Sequence, residues 1–404
     1  MVCRINSGNQ NEDEECIFAG LSKRSRVAVV SFPWHSPAPY KFLDDLLRIL
    51  DQISGKVTLI GGNLDRTRYT SRRVEKDDIG ISMHYARYIG LFPFSVIRWL
   101  CKMIAVQLIE CIELVRLRNE IDIVVFYMAY PYYLLPLLMA KILNKRSFEV
   151  LTRGNRVSFL SKLVSVQDPL LYRLLDGISP ESMHLVEDLK LEEYASKLLP
   201  VGARFVDLDK HRITTPLKDR KNVVGYVGRF AKEKGVVEFM RSIPLIHNLR
   251  EDVSYLIAGG GELEDWVARE CDRLWSEEGI SIDYLGWIGE DLPKCLNRLR
   301  LLVLPTRSDA LPSIILEAMA CGTPVLVHPV GGIEDIVKSG VTGFLIRCIG
   351  SKEIAESVCD ALCYKEIDQV AANARNLVER EFGYAEALSR WKEILREVKR
   401  SEYG

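Results

Sequence analysis

The chain is short of the features that mark a metalloprotein or a disulfide scaffold. Its ten cysteines, at 3, 16, 101, 111, 271, 295, 321, 348, 359 and 363, form no CxxC pair and no repeated Cys/His spacing. That excludes zinc-finger and disulfide frameworks and predicts mostly buried free thiols in a reducing compartment. No strand-like segment is followed by a full GxGxxG with an acidic residue about twenty positions later, which argues against a dinucleotide-dependent dehydrogenase. The start lacks the basic n-region and apolar centre of a secretory signal, so residues 1–22, with NEDEEC, read as a loose polar tail. There is no low-complexity segment. Charge is nearly balanced, 54 Lys+Arg against 55 Asp+Glu, yet residues 21–160 hold about 21 cations and 12 anions, which suits an anionic partner. One uncharged run of 18, residues 123–140, is long enough to test as a membrane span. Pro131 and Pro136 interrupt it, and it divides into a buried strand and a core-facing helix.

What is present is an alternation. With 404 residues, 48% of them hydrophobic, the chain has material for two domains. Strands are expected at 26–32, 56–61, 121–126, 147–152, 176–179 and 196–201, with helical stretches between them. After a polar connector at 207–222 the pattern restarts with VVGYVG, SYLIAG, SIDYLG, LLVLP, PVLVH and GFLI. Strands alternating with helices imply a parallel sheet in each half.

The most informative stretch is LLVLPTRSDALPSIILEAMACGTPVLVHP, residues 301–329. A strand ends at proline, a polar loop carries Asp309, and a helix carrying Glu317 stops at Gly322. In such units ligands bind outside the carboxyl ends of the strands, beside the N–H groups of the helix start. Asp309 to Glu317 resembles the Glu-x7-Glu element of retaining glycosyltransferases of family GT4, with Asp in first place, and the EAMACGTPV run that follows is similar to theirs. GYVGRFAKEKGVVEFMRSIP (225–244), YLIAGGGELEDWV (255–267), YLGWIGEDLPKCLNRLRLLVLPT (284–306) and VGGIEDIVKSGVTGFLI (330–346) also resemble that family, in its order and spacing. The resemblance implies the GT-B architecture: an α/β fold of two Rossmann-like domains with parallel sheets facing across a cleft. On that reading residues 23–206 form the acceptor-side domain, 207–222 the connector and 223–382 the nucleotide-sugar-binding domain. A C-terminal helix at 383–404 would then pack back across the domain junction.

The candidate catalytic residues are Arg229, Lys234 and Asp309. Arg229 and Lys234 follow a strand, where a guanidinium fork and an ammonium point charge suit a diphosphate and neutralise charge on a leaving nucleoside diphosphate; a solvated charged turn is the plainer alternative. Lys232 and Glu233 read as solvent-facing. By the resemblance Asp309 contacts hydroxyls of the transferred sugar, although it is one methylene shorter than the usual Glu. Glu317 accepts from the two ribose hydroxyls, as a carboxylate can bridge a vicinal diol. Leu311, Pro312, Ser313 and Ile314 open the helix, and the N–H groups of Ser313 and Ile314 can meet donor oxygens; Pro312 has none to give. Gly228, like Gly225, permits close backbone approach. Trp287 and Ile288 stand where, in the family, backbone groups read the base.

The first half departs from the family. A glycine-rich loop is replaced by SFPWHSPAPYKF with His35, a His after IDIVVF by Tyr127 and Tyr130, and a His-Gly by Arg153-Gly154. His35, Tyr127, Arg153 and Asn155 are the cleft or acceptor candidates, with an exposed imidazole and a structural salt bridge as the alternatives for His35 and Arg153.

The resemblance implies a retaining transfer of a sugar from a nucleoside diphosphate donor to a hydroxyl acceptor, without metal, cofactor or nucleic-acid partner. A catalytically silent sugar-nucleotide-binding protein and a nucleotide-sugar epimerase remain open. The basic first half and the periodic helix at 93–119, which fits either an interfacial membrane helix or sheet cover, point to a lipid-linked acceptor or cell-surface glycan precursor. The expected location is cytoplasmic, with peripheral contact at the membrane face.

Overall fold

The structure, a computed structural model, describes residues 25–31, 37–61, 81–85, 95–129, 133–152, 167–201, 204–309 and 311–400. His35, Tyr130, Arg153, Asn155 and the tail at 1–22 lie outside the described residues. The chain divides into two compact units, the second comprising Ser182–Leu189 and Arg204–Ala387.

The first unit holds a parallel sheet of β1 (Arg26–Ser31), β2 (Lys56–Gly61), β3 (Ile81–Tyr85), β4 (Ile123–Tyr127), β5 (Arg146–Leu151) and β6 (Gly177–Pro180), in the order β3-β2-β1-β4-β5-β6. β1 and β4 read as near-continuous apolar runs, as inner strands of a parallel sheet covered on both faces do, and β4 is buried at every position. The run at 123–140 is strand β4 and, within the helix Leu134–Ile142, helix. No helix among the described residues is long and apolar enough to cross a membrane. Asp176 fastens the entry to β6 by accepting from Lys141 Nζ at 2.6 Å and the Ser147 amide at 2.8 Å. Burial alone would raise its pKa, but these bonds outweigh it and hold the carboxyl below its usual range. From the C-terminal helix Tyr384–Arg400, buried Trp391 packs on Phe148 of β5, ring centroids 6.1 Å apart.

One expected strand is absent here and one strand is new. Residues 196–201 are not a strand: a 3-10 segment spans Leu191–Lys197, and Leu198 makes only an isolated bridge to Ile178. Lys197 Nζ is instead directed at the end of the helix Asp168–Leu174, donating to the carbonyls of Arg173 at 2.6 Å and Leu175 at 2.8 Å, as a cation at a helix C-terminus does. Strand β3, conversely, was not anticipated.

The second unit repeats the topology with β7 (Val223–Arg229), β8 (Ser254–Gly260), β9 (Ile282–Gly286), β10 (Leu301–Leu304), β11 (Val325–Val327) and β12 (Phe344–Leu345), in the order β12-β11-β10-β7-β8-β9. All six were anticipated in position. The polar stretch at 207–222 groups with this unit, and its Arg220 is buried. The Arg220 guanidinium donates to the carbonyls of Thr215 (2.9 Å), Leu299 (2.9 Å) and Cys321 (2.7 Å) and to Thr323 Oγ1 (2.7 Å). Burial lowers its pKa to about 10, still a cation at neutral pH.

The described cysteines are all free, but only Cys111, Cys295 and Cys321 are buried; Cys348 and Cys363 are exposed. The expectation of mostly buried thiols is therefore too broad. Burial pushes Cys111 and Cys295 up to about 11 and Cys321 up to about 12, which leaves these three as inert thiols.

Candidate functional site

In the second sheet β7 neighbours both β8 and β10, so successive crossovers leave it in opposite directions. The loops leaving the carboxyl ends of β7 and β10 therefore flank the crevice where α/β folds bind ligands. Arg229 ends β7, and a 3-10 turn at Lys232–Lys234 leads through Gly235 into the helix Val236–Leu249. On the other side Pro305 stops β10, and the loop through Asp309 leads into the helix Ser313–Ala320.

The two loops are tied together. Lys234 Nζ forms an ion pair with Asp309 and donates to the Ser308 carbonyl at 3.3 Å. The Arg307 amide and Thr306 hydroxyl donate to the Glu233 carbonyl at 2.7 and 3.2 Å. Gly235 makes this approach possible, since at φ +75° a Cβ there would stand 2.1 Å from the Pro305 carbonyl oxygen. Arg229 pairs with Glu233 at the surface, both side chains remaining substantially exposed, and Lys232 is exposed. Below them the Tyr226 hydroxyl donates to the Arg229 carbonyl at 2.8 Å, and burial raises its pKa so that it stays a donor.

Glu317, expected to be accessible to ribose, is only 4% exposed. His211, 2% exposed, stands with Nε2 4.0 Å from Glu317 Oε1. The helix carrying Glu317 closes in a Schellman turn, with Gly322 at φ +65° and its amide on Met319 O at 3.0 Å, and with the Thr323 amide on Ala318 O at 2.9 Å. At its start Leu311 and Pro312 are buried while Ser313 and Ile314 are partly exposed, and the Leu311 carbonyl accepts from Arg204.

Gly228 has space at its Cα, the nearest atom to an added Cβ lying 3.6 Å away. Gly225 does not serve ligand approach: a Cβ there would meet Leu299 Cδ2 at 2.5 Å, so its absence serves packing. Trp287 is 65% exposed after β9, and the Ile288 carbonyl accepts from the Asp291 amide at 2.9 Å. In the first unit Tyr127 is the last residue of the inner strand β4 and is 3% exposed, so its ring belongs to the core.

Sequence reasoning passed over His211 and Arg204, which stand in a polar stretch with no motif, and His328. His328 follows β11 at the same carboxyl edge, half-buried, and burial lowers its pKa. The signal for it was a histidine closing an apolar strand in the sequence VLVH.

Residues 221–363 match the family model described as glycosyl transferases group 1. The chain is 26% identical over 204 residues to alpha-D-kanosaminyltransferase of Streptomyces kanamyceticus, covering 48% of this chain and 52% of that one. It is 29% identical over 161 residues to the capsular polysaccharide biosynthesis glycosyltransferase CapM of Staphylococcus aureus, covering 40% and 42%. The chain thus spans about half the length of the curated relatives it matches. The solved structure of HepE from Anabaena in complex with UDP and glucose is similar at a TM-score of 0.71 and 17% identity, over 92% of this chain and 99% of that one. The fold is GT-B.

Proposed function

We propose that this chain, a GT-B protein whose residues 221–363 belong to the glycosyl transferases group 1 family, transfers a sugar from a nucleoside diphosphate donor to a hydroxyl acceptor with retention. The observation that carries the reading is the Lys234–Asp309 pair where the β7 and β10 loops meet. On this reading Lys234 is the cation that meets the diphosphate, and Asp309 the acceptor that meets sugar hydroxyls. Donor entry exchanges their mutual pairing for these two contacts, and Arg229 exchanges Glu233 for a phosphate oxygen.

In the chemical step the acceptor oxygen attacks the anomeric carbon from the face the diphosphate leaves. The bond from that carbon to the phosphate oxygen breaks, and the acceptor proton passes to the departing phosphate. Lys234 and Arg229 stabilise the charge that develops there. No side-chain nucleophile and no divalent metal takes part. The test is release of nucleoside diphosphate from a panel of sugar nucleotides, uridine series first because HepE binds UDP, with the product anomer read by NMR. Acceptor-dependent release that persists in EDTA supports the reading. Binding without turnover on any acceptor favours the silent binding protein instead, and conversion of donor without acceptor the epimerase.

The acceptor we propose is lipid-linked, met at the cytoplasmic face of an anionic membrane. What supports this is the helix Ser95–Arg116, which exposes Ile104, Leu108, Ile112 and Val115 along one stripe while burying Gln107, Glu110 and Glu113. An exposed apolar stripe on a cation-rich half of the chain fits an anionic lipid surface. Flotation with phosphatidylglycerol vesicles, lost on Leu108→Glu/Ile112→Glu, is the expected result; no flotation of the wild type would remove the membrane contact.

A further inference from the structure

Resting on the reading of Glu317 as the ribose carboxylate, we infer that His211 is the positioning residue that sets that carboxylate for the ribose diol. A vicinal diol is read by two acceptor oxygens in a defined plane, so a carboxylate free to rotate about its last bonds loses much of its selectivity. Glu317 is almost wholly enclosed, and the imidazole of His211 is enclosed beside it, Nε2 to Oε1 4.0 Å.

The ring itself is anchored. The Asp207 carbonyl lies 3.0 Å from His211 Nδ1 and can only accept, so Nδ1 carries hydrogen, and Nε2, the nitrogen turned to Glu317, presents an N–H to the carboxylate only when the ring is doubly protonated. The turn is fixed by the Asp207 carboxylate, whose Oδ1 accepts from the amides of Asp209 at 3.1 Å and Lys210 at 3.0 Å. Arg375 donates to the His211 carbonyl at 2.8 Å and also to the Ala320 carbonyl, so one guanidinium couples the histidine's backbone to the helix that carries Glu317. The neighbouring Lys210 reaches Glu290 Oε2 at 2.5 Å, in the turn after Trp287 and Ile288. The segment Asp207–His211 thereby braces both the proposed base-reading turn and the proposed ribose carboxylate.

The test is isothermal titration of UDP, GDP and ADP, and of their 2′-deoxy counterparts, into wild type, His211→Ala, His211→Gln and Glu317→Ala. Wild type is expected to prefer the ribonucleotide by about tenfold, the worth of one hydrogen bond to a charged group. His211→Ala should bring the ratio below about threefold, as Glu317→Ala does, and His211→Gln, whose amide reaches the Nε2 position, should restore most of it. Should His211→Ala unfold, as judged by melting temperature, His211→Asn keeps the bond to Asp207 and takes its place. A ratio in the folded variant equal to that of wild type overturns the positioning role. A wild type that binds but shows no ribose preference, or a Glu317→Ala ratio equal to it, overturns the ribose reading itself. Failure of all three nucleotides to bind overturns the proposed function with both.

Discussion

Lys234 and Asp309, 75 positions apart in the chain, are joined by an ion pair at the carboxyl edge of the second sheet, each about one-fifth exposed. At that exposure the pair itself is worth little to stability, so its value lies in where it holds the two charges. Lys234→Ala is expected to lower kcat/KM by about 10²–10³-fold, or roughly 3–4 kcal/mol of transition-state stabilisation, with the melting temperature within about 2 °C of wild type. Steady-state kinetics beside thermal melts check both halves. Near-normal turnover would remove Lys234 from the chemistry.

Two glycines, Gly228 in β7 and Gly235 after the turn that follows it, separate stability from binding. Gly235→Ala places a Cβ 2.1 Å from the Pro305 oxygen at φ +75° and should destabilise by about 2 kcal/mol or more. Gly228→Ala meets nothing nearer than 3.6 Å, so its melting temperature should hold. If the donor approaches that backbone, only its donor KM should rise. Denaturant melts and donor titration distinguish the two.

Much of this was legible in the sequence, for physical reasons that also mark its limits. β10 is LLVL, buried throughout, and a short apolar run bounded by proline has few other readings. Among the described residues β3, ISMHY, pairs only with β2 at the end of the strand order, and its Ser82 and His84 dilute the strand pattern. LLPV at 198–201 has strand composition but a single bridge. Arg229, Lys234 and Asp309 were singled out by the family resemblance of the segments that carry them, each of which follows a recognisable strand. His211 and Arg220 were not, because a stretch such as DLDKHRITTPLKDRKN reads as solvated, and nothing local shows that one of its cations enters a ring of carbonyl oxygens.

Arg220 makes that ring testable. Its removal leaves the carbonyls of Thr215, Leu299 and Cys321 without their donor. Arg220→Ala should cost about 3–5 kcal/mol, the range for breaking a buried charged network. Arg220→Lys should recover only part, because an ammonium cannot reproduce the planar fork. Urea unfolding measures both; a loss under about 1 kcal/mol would show the network to be dispensable.

Glu110 carries a pH dependence. It is wholly buried on the helix Ser95–Arg116, neither carboxylate oxygen has a hydrogen-bond partner among the described residues, and burial raises its pKa well above 4.5. The folded state therefore binds the proton more tightly than the unfolded state, so this group's contribution to stability falls as pH rises from about 4.5 toward the folded pKa. Glu110→Met should add about 1–3 kcal/mol at pH 8 and much less at pH 4. Melting temperatures of both proteins across that range check the sign; a gain independent of pH would assign it to packing.

The central claim is that the carboxyl edge of β7 and β10 binds a nucleoside diphosphate through Lys234. Isothermal titration of UDP, GDP and ADP into wild type and Lys234→Ala tests it most directly. At least one nucleotide should bind wild type, with affinity falling about 30-fold or more in the variant, the loss of one charge-assisted phosphate contact. Equal affinity in the two proteins, or no binding of any of the three to wild type, would contradict it.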